Sequence, residues 1–382
     1  MGLLKNIVTW FLILVMLAVI ANTVFSLMGN RYDYNEPVAV NLTLTAPEVP
    51  TYQPHKFEPK PIPSGRSGPG YNFYMESLKS EFYEYYGGIM KIWFENKGDH
   101  TLFIYDYGIK PDWVSKDKWA PSHTGITVKP GEKKLLGLKN FEAKTVKVDD
   151  GVMTCSIEYS ISFMAKRDDG KWYDYGTVFT DPMTVEIKPA IKDTQKEYVS
   201  NPKFLFEELN RLVDKNDEEI IEISKKISDR YPGKYNMYQV CALFDYVSES
   251  IEYVPDPKDT EIWQSPDETL RLGTGDCEDY AILMASLIGA SGGNSRIYLT
   301  EDHAFATVYV GKDTARIDKA IRTYYNTPAT IYFISDEYGE WLILDTVSGF
   351  YTGNLPVGAM PSKMDWDFEN STKITVIDLV ES

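Results

Sequence analysis

GTGDCEDYAILMASLIGASGG, residues 273–293, places one cysteine at the first turn of an amphipathic helix. Gly275 and Asp276 supply a turn and an N-cap, after which Tyr280, Ala281, Met284, Leu287 and Ile288 recur at helical spacing. A thiol at Cys277 therefore meets the positive end of a helix dipole, a field that favours the nucleophilic thiolate. The other two cysteines read as core. Cys155 shares one face of an alternating run with Met153, Ile157, Tyr159, Ile161 and Phe163, and Cys241 lies on a helical stripe with Met237, Val240, Phe244, Val247 and Ile251.

The chain has 382 residues, enough for two globular domains. Its formal net charge of -17 argues against nucleic acid or an anionic membrane surface as a partner. The three cysteines form no close pairs, and the four histidines, His55, His100, His123 and His303, have no metal-ligand spacing from one another or from a cysteine. With no EF-hand loop and no cofactor motif, neither a metal nor a cofactor is expected. His55, His100 and His123 read as solvated, and Trp93, Trp113, Trp119 and Trp172 as core or rim residues.

Residues 7–27, IVTWFLILVMLAVIANTVFSL, carry no charge and are long enough to cross a bilayer as a helix. Lys5 and the amino group precede the run, while Arg31 is soon followed by Asp33 and Glu36; this small bias gives the expected topology of amino terminus inside and the globular part extracytoplasmic. A cleaved signal peptide ending at Val19-Ile20-Ala21 is the rival reading. The uncleaved anchor is preferred because the apolar run continues to Leu27. Pro37, Pro47, Pro50, Pro54, Pro59, Pro61, Pro63 and Pro69 then mark an extended tether. Asn41-Leu42-Thr43 and Asn370-Ser371-Thr372 match the glycosylation acceptor pattern, which matters only outside the cytoplasm.

The expected organisation is an anchor at 1–30, a Pro-rich linker at 31–70, a β domain at 71–190 and an α+β domain at 191–382. In the β domain, 89–94 and 101–105 read as a hairpin across Asn96-Lys97-Gly98-Asp99, and 153–163 pairs with 172–179 across Arg167-Asp168-Asp169-Gly170. Short strands between regular turns predict an immunoglobulin-like sandwich. From Asn201 the texture is helical, with Pro202 in a first turn, a second helix over 217–227 stopped by Tyr231-Pro232-Gly233, and a third over 237–251.

The run from 251 to 281, IEYVPDPKDTEIWQSPDETLRLGTGDCEDYA, resembles the transglutaminase-like superfamily of cysteine enzymes, in which a Trp-Gln-Ser/Thr-Pro segment leads to Gly-x-Cys at a helix start. His303-Ala304-Phe305 matches the family's His-Ala-aromatic motif, and Trp341-Leu342-Ile343-Leu344-Asp345-Thr346 its Trp-x-x-x-Asp motif. The resemblance covers about half the chain and does not reach the β domain or the anchor. It implies a papain-like fold in which Cys277 is the nucleophile, His303 the general base and acid, and Asp345 the orienting carboxylate. Gln264 and Trp263 become candidate oxyanion donors beside the backbone N–H of Cys277. No catalytic role is assigned to Asp276, Glu278 or Asp279.

The interval between His303 and Asp345 is longer than the family's usual hairpin and includes Asp313, Asp318 and a helical stretch near 315–325. An insertion at the hairpin tip would keep Asp345 in register, whereas a rearranged sheet would promote Asp318. Asp345 is preferred for its company of Trp341 and Thr346. The expected function is that of a membrane-anchored cysteine enzyme acting on amide or peptide bonds through a thioester, resolved by water or by an amine. A protein, a peptide or a cell-surface polymer would be the substrate. The alternative is a catalytically inactive transglutaminase-like module for surface binding or assembly.

Overall fold

The computed structural model describes residues 57–66, 70–115, 119–149, 151–191, 202–257, 261–363, 365–369 and 374–379. The expected anchor, most of the tether with His55, and both glycosylation matches lie outside these residues. Among the described residues no helix is long and apolar enough to cross a membrane.

The β half holds β1 (Pro63–Gly65), β2 (Phe73–Lys79), β3 (Phe82–Tyr83), β4 (Gly88–Asn96), β5 (Leu102–Pro111), β6 (Ser122–Val128), β7 (Lys133–Phe141), β8 (Met153–Lys166), β9 (Trp172–Phe179) and β10 (Met183–Lys188). β8 is the spine of a seven-stranded sheet and pairs with β5, β9 and β10. The expected pairing of β8 with β9 is present, with Ile161 opposite Val178. β2, β4 and β7 form a second, antiparallel sheet. Residues from both sheets meet in one core that includes Met90, Ile92 and Phe94 of β4 and Ile104, Ile157 and Phe163 opposite them. Cys155 is buried in that core, as its alternation predicts.

One local expectation is corrected. Residues 89–94 and 101–105 do not form a hairpin, because β4 pairs with β2 and β7 while β5 pairs with β6 and β8. The link between them crosses from one sheet to the other. Asn96 makes that corner: it is fully buried and its Nδ2 donates to the carbonyls of His100 (2.8 Å) and Val128 (3.0 Å). A turn-rich sequence cannot distinguish a hairpin from such a corner, since both need the same polar residues.

The two faces of β4 have separate uses, as period-2 alternation requires. Met90, Ile92 and Phe94 face the β core, while Ile89, Lys91 and Trp93 lie on the opposite face. Leu138 of β7 and Ile89 join the helical core of the other half, so this second face docks the two halves together. A bulge in β7 helps. Gly137 has φ +138°, and a Cβ there would stand 2.4 Å from the Tyr107 Oη, so glycine is required where the tyrosine crosses.

The second half contains α1 (Pro202–Leu212), α2 (Glu218–Ser228), α3 (Met237–Ser250), β11 (Glu252–Tyr253), α4 (Pro266–Leu272), β12 (Thr274–Gly275) and α5 (Cys277–Ala290). After α5 come β13 (Ser295–Leu299), β14 (Ala304–Gly311), α6 (Thr314–Tyr325), β15 (Phe333–Ser335), β16 (Glu340–Leu344), β17 (Ala359–Ser362), β18 (Asp365–Phe368) and β19 (Thr375–Asp378). The three helices expected before Cys277 are all present. Five strands form an antiparallel sheet in the order β15-β16-β14-β13-β19. α5 packs on β13 and β14, and Leu283, Met284, Leu287 and Ile288 are fully buried against α2 and α3. Each such side chain contributes about 1.5–3 kcal/mol, which fixes the helix and the cysteine at its start.

The long interval after His303 is an insertion at the hairpin tip. α6 fills it, and β14 and β16 still pair, with Ala306 opposite Leu344. Asp313 caps α6 by accepting from the Arg316 N–H (3.1 Å), and Asp318 is occupied by Arg322 (2.7 Å), so neither competes with Asp345.

Candidate active site

Four segments converge at the start of α5. Gly275 precedes the cap, where a Cβ would sit 2.7 Å from the Asp279 Cβ, so the approach admits only glycine. Asp279 reaches back to accept from the N–H of Asp276 (3.1 Å) and from the N–H of Gln264 (2.7 Å). One carboxylate thus closes the first helical turn and ties the Trp-Gln segment to it. Burial pushes the Asp279 carboxyl up to about 6 against the opposing pull of these two N–H groups.

His303 ends the loop before β14 and is 6% exposed. The Thr300 N–H and hydroxyl both bond its carbonyl, at 2.8 and 3.1 Å, and its ring lies nearly parallel to Phe305, with centroids 6.1 Å apart. Its Nε2 is 2.9 Å from Asp345 Oδ2. Asp345, just beyond β16, is 1% exposed and also accepts from the N–H of Val347 at Oδ1 (3.1 Å) and of Val357 at Oδ2 (2.6 Å). A carboxylate surrounded by donors is an acceptor only, so the His303 bond requires the proton on Nε2. That leaves Nδ1 as the ring nitrogen able to take a proton. Burial works to lower the His303 pKa, but the Asp345 charge and hydrogen bond, with Glu278 and Asp302, outweigh it and hold the ring above its ordinary value.

Cys277 is buried and shares an apolar cluster with Ala281, Ala304, Trp263 and Val347. The N–H of Ala304, next in sequence to His303, bonds the sulfur and favours its ionised form. The thiol itself donates to Glu278 Oε2 at 3.0 Å rather than to His303. Burial first, then the Glu278 charge, pushes the thiol well above its usual range, against the helix-start field that the sequence predicts to activate it. Burial also raises Glu278 to about 7, with Asp276 adding to it and the thiol hydrogen bond opposing.

The structure thus brings His303 and Asp345 into direct contact and sets Cys277 against the residue after His303. Of the oxyanion candidates, Trp263 has its indole N–H engaged by Glu261 Oε1 (2.9 Å), while Gln264 has a buried Oε1 with no hydrogen-bond partner. Sequence reasoning missed the Glu278 contact and the Val347 and Val357 clamps on Asp345. Backbone donors leave no compositional signal, and adjacent helical residues are not expected to meet.

Residues 222–346 match the family model of the Transglutaminase-like superfamily, a span that includes Cys277, His303 and Asp345. This part of the chain is a transglutaminase-like domain. Two solved structures are similar at low identity. One is a candidate cysteine protease from Cytophaga hutchinsonii, 12% identical with a TM-score of 0.25, the match covering 81% of this chain and 94% of that one. The other is a candidate protease from Parabacteroides distasonis, 10% identical with a TM-score of 0.25, covering 58% and 61%. No curated protein matches the chain.

Within the transglutaminase-like domain, Glu278 is the charged group that, after burial, does most to hold the thiol protonated. Its replacement, Glu278→Gln, removes a like charge in contact with the sulfur, which lowers the thiol pKa. The titration of Cys277 should therefore move to lower pH. Alkylation by iodoacetamide near neutral pH, followed by mass spectrometry, is expected to quicken roughly tenfold or more. An unchanged rate would mean that Glu278 does not control the thiol, and a slower one that it assists it.

Proposed function

We propose that the protein is a cysteine enzyme that cleaves or transfers an amide acyl group through a thioester on Cys277. The observation that carries this reading is the Nε2 to Asp345 bond, which leaves Nδ1 of His303 free at a site where Ala304 touches the sulfur. Nδ1 takes the Sγ proton and the thiolate adds to the carbonyl carbon of an amide. The C–N bond breaks as imidazolium returns that proton to the leaving amine, and the acyl group stays on sulfur. Water then gives a carboxylic acid, or a primary amine gives a new amide: His303 takes a proton from the incoming nucleophile and returns it to the sulfur as the C–S bond breaks. The backbone N–H of Cys277 and the side chain of Gln264 are the groups offered to the oxyanion. The uncharged run of residues 7–27 and the proline-rich tether favour a single-pass, extracytoplasmic placement, with a peptide, a protein or a cell-surface polymer as substrate. The β domain, of immunoglobulin-like type in this reading, forms a second body beside the enzyme.

Labelling of the full chain with a thiol-selective probe tests this. Loss of labelling in Cys277→Ala is the expected result, because Cys241 is buried with its thiol held well above the ordinary range and Cys155 is raised to about 11. Equal labelling of the two proteins, from Cys155 or Cys241, would overturn the assignment. The second reading, an inactive binding module, is favoured by one observation: the thiol is bonded to Glu278. It predicts no acyl-enzyme with any peptide amide, with or without added amine.

A further inference from the structure

The outer face of the sheet formed by β2, β4 and β7 continues past its docked end into an open cleft of about 510 Å³. Ile89 and Leu138 are packed into the helical core, but farther along the same face Trp93 pairs in register with Leu135, and Leu78 stands opposite Lys91. Leu78 is 45% exposed and Leu135 36%, an unusual outlay of large aliphatic surface at the mouth of a cavity. The opposite wall comes from the transglutaminase-like domain: Tyr280, one turn after Cys277, and Thr346 and Val347, which follow Asp345.

This cleft adjoins the reacting groups on two counts. Val347 donates to Asp345 and packs in the same apolar cluster as Cys277 and Trp263. Tyr280 follows Cys277 on α5 and lies 6.3 Å, centroid to centroid, from Tyr253, whose hydroxyl pKa is raised first by burial and then by the nearby Cys277, Asp276 and Glu278. The walls are held in place across the cleft by a strut, since the nearly buried Lys91 puts its Nζ 3.0 Å from Glu249 Oε1 on α3. The volume lies in the range, ~300–1,000 Å³, of pockets that take small ligands.

We infer that this cleft is a substrate subsite to which the β domain contributes, and that it accepts a large apolar or aromatic side chain of the peptide whose acyl group reaches Cys277. The inference rests on the proposed thiol chemistry. The occupant is set by the walls. Trp93 offers an aromatic surface flanked by the ammonium groups of Lys91 and Lys133, at 5.6 and 5.8 Å from the ring. Leu78 and Leu135 supply aliphatic surface, and the acidic residues Asp276, Glu278 and Asp279 all lie at the thiol end rather than in the cleft lining. An apolar side chain buries this surface without displacing a charge, whereas an acidic or basic one would interfere with the Lys91 and Glu249 pair. The β domain is on this view part of the specificity machinery rather than a spacer.

Two peptidyl vinyl sulfones, identical but for phenylalanine or glycine beside the electrophile, test the subsite on the full chain. The Cys277 sulfur adds to the vinyl carbon β to the sulfone, the one attached to the amino-acid Cα, and a proton goes to the carbon that bears the sulfone, so no leaving group is needed. The phenylalanine probe should label Cys277 roughly tenfold or more faster than the glycine probe, the factor expected for burying a large apolar side chain. Trp93→Ala and the surface change Leu135→Ser should each reduce that ratio toward one while leaving the iodoacetamide rate unchanged, because the small reagent needs no subsite. Trp93→Phe should retain most of the preference. Equal labelling by the two probes, or a preference that survives both Trp93→Ala and Leu135→Ser, would overturn the subsite and leave the thiol assignment standing. Failure of iodoacetamide to label Cys277 at all would overturn the thiol chemistry and the subsite with it.

Discussion

Asp345→Asn is expected to slow alkylation of Cys277 near neutral pH by about 10²-fold or more, the low end of the range for a general base held in the wrong protonation state. The carboxylate now receives three donors, from His303, Val347 and Val357. An amide of the same shape has one accepting oxygen and one NH2 group. Whichever way it turns, an NH2 must face a donor. With the oxygen at the Oδ2 position the amide strands the Val347 N–H and deprives the imidazolium of its counter-charge; with the oxygen at Oδ1 the NH2 meets both the Val357 N–H and Nε2 of His303, and the imidazole relieves the clash by moving its proton to Nδ1. That nitrogen then has no capacity to take a proton from sulfur. The stranded N–H should also lower stability, by about 1–3 kcal/mol. Site-resolved alkylation by mass spectrometry reads the first effect and urea unfolding the second. A rate unchanged from the natural protein would remove Asp345 from any role in orienting the base.

The largest loss of stability is expected from Arg296→Ala, about 3–5 kcal/mol, the usual cost of leaving one member of a buried ion pair without its partner. Arg296 lies on β13 and is 6% exposed. Its Nε bonds Asp378 of β19, its Nη1 bonds Asp336, and its guanidinium lies over the Trp341 ring at 3.6 Å. Asp336 in turn accepts from the Trp341 indole N–H at 3.0 Å. This network fastens the edge strand β19 to the strands that lead to His303 and Asp345. Alanine would leave Asp378, which is completely buried, without its counter-charge and would remove the stacking on Trp341. Arg296→Lys keeps a charge but cannot span two carboxylates with a planar fork, so it should fall between the two. Urea unfolding followed at Trp fluorescence measures the difference. A change in Arg296→Ala below about 1 kcal/mol, the scale of an exposed pair, would show that the network is solvated in practice.

The parts of the site carried by local pattern were legible in the sequence. Cys277 heads a helix because Gly275 and Asp276 announce one, whereas His303 and Asp345 are singled out by the resemblance to the family's His-Ala-aromatic and Trp-x-x-x-Asp motifs, and the structure sets them beside the paired strands 304–311 and 340–344. The sequence alone allows the insertion either at the hairpin tip or in a rearranged sheet, with Trp341 and Thr346 favouring Asp345; the structure puts it at the tip, as α6 with its cap at Asp313. What escaped depends on three-dimensional approach. Glu278 follows Cys277 directly, a spacing that predicts no contact, yet its side chain reaches the thiol. Val357 clamps Asp345 from twelve positions downstream through a backbone N–H that any residue could supply. The corner at Asn96 was read as a hairpin because its residues suit either use. The role of Trp93 required the register of β2, β4 and β7 and the docking of that sheet on a second body, neither of which is written in a local pattern.

The central claim is that His303 serves as the base for Cys277, and the pH profile of Cys277 alkylation in the natural protein and in His303→Ala tests it most directly. The pairing predicts that His303→Ala is slower by about 10²-fold near neutral pH, with the two profiles converging as rising pH ionises the thiol unaided. Profiles that superimpose over the whole range would contradict the account, for they would show a thiol that ionises without help from the imidazole.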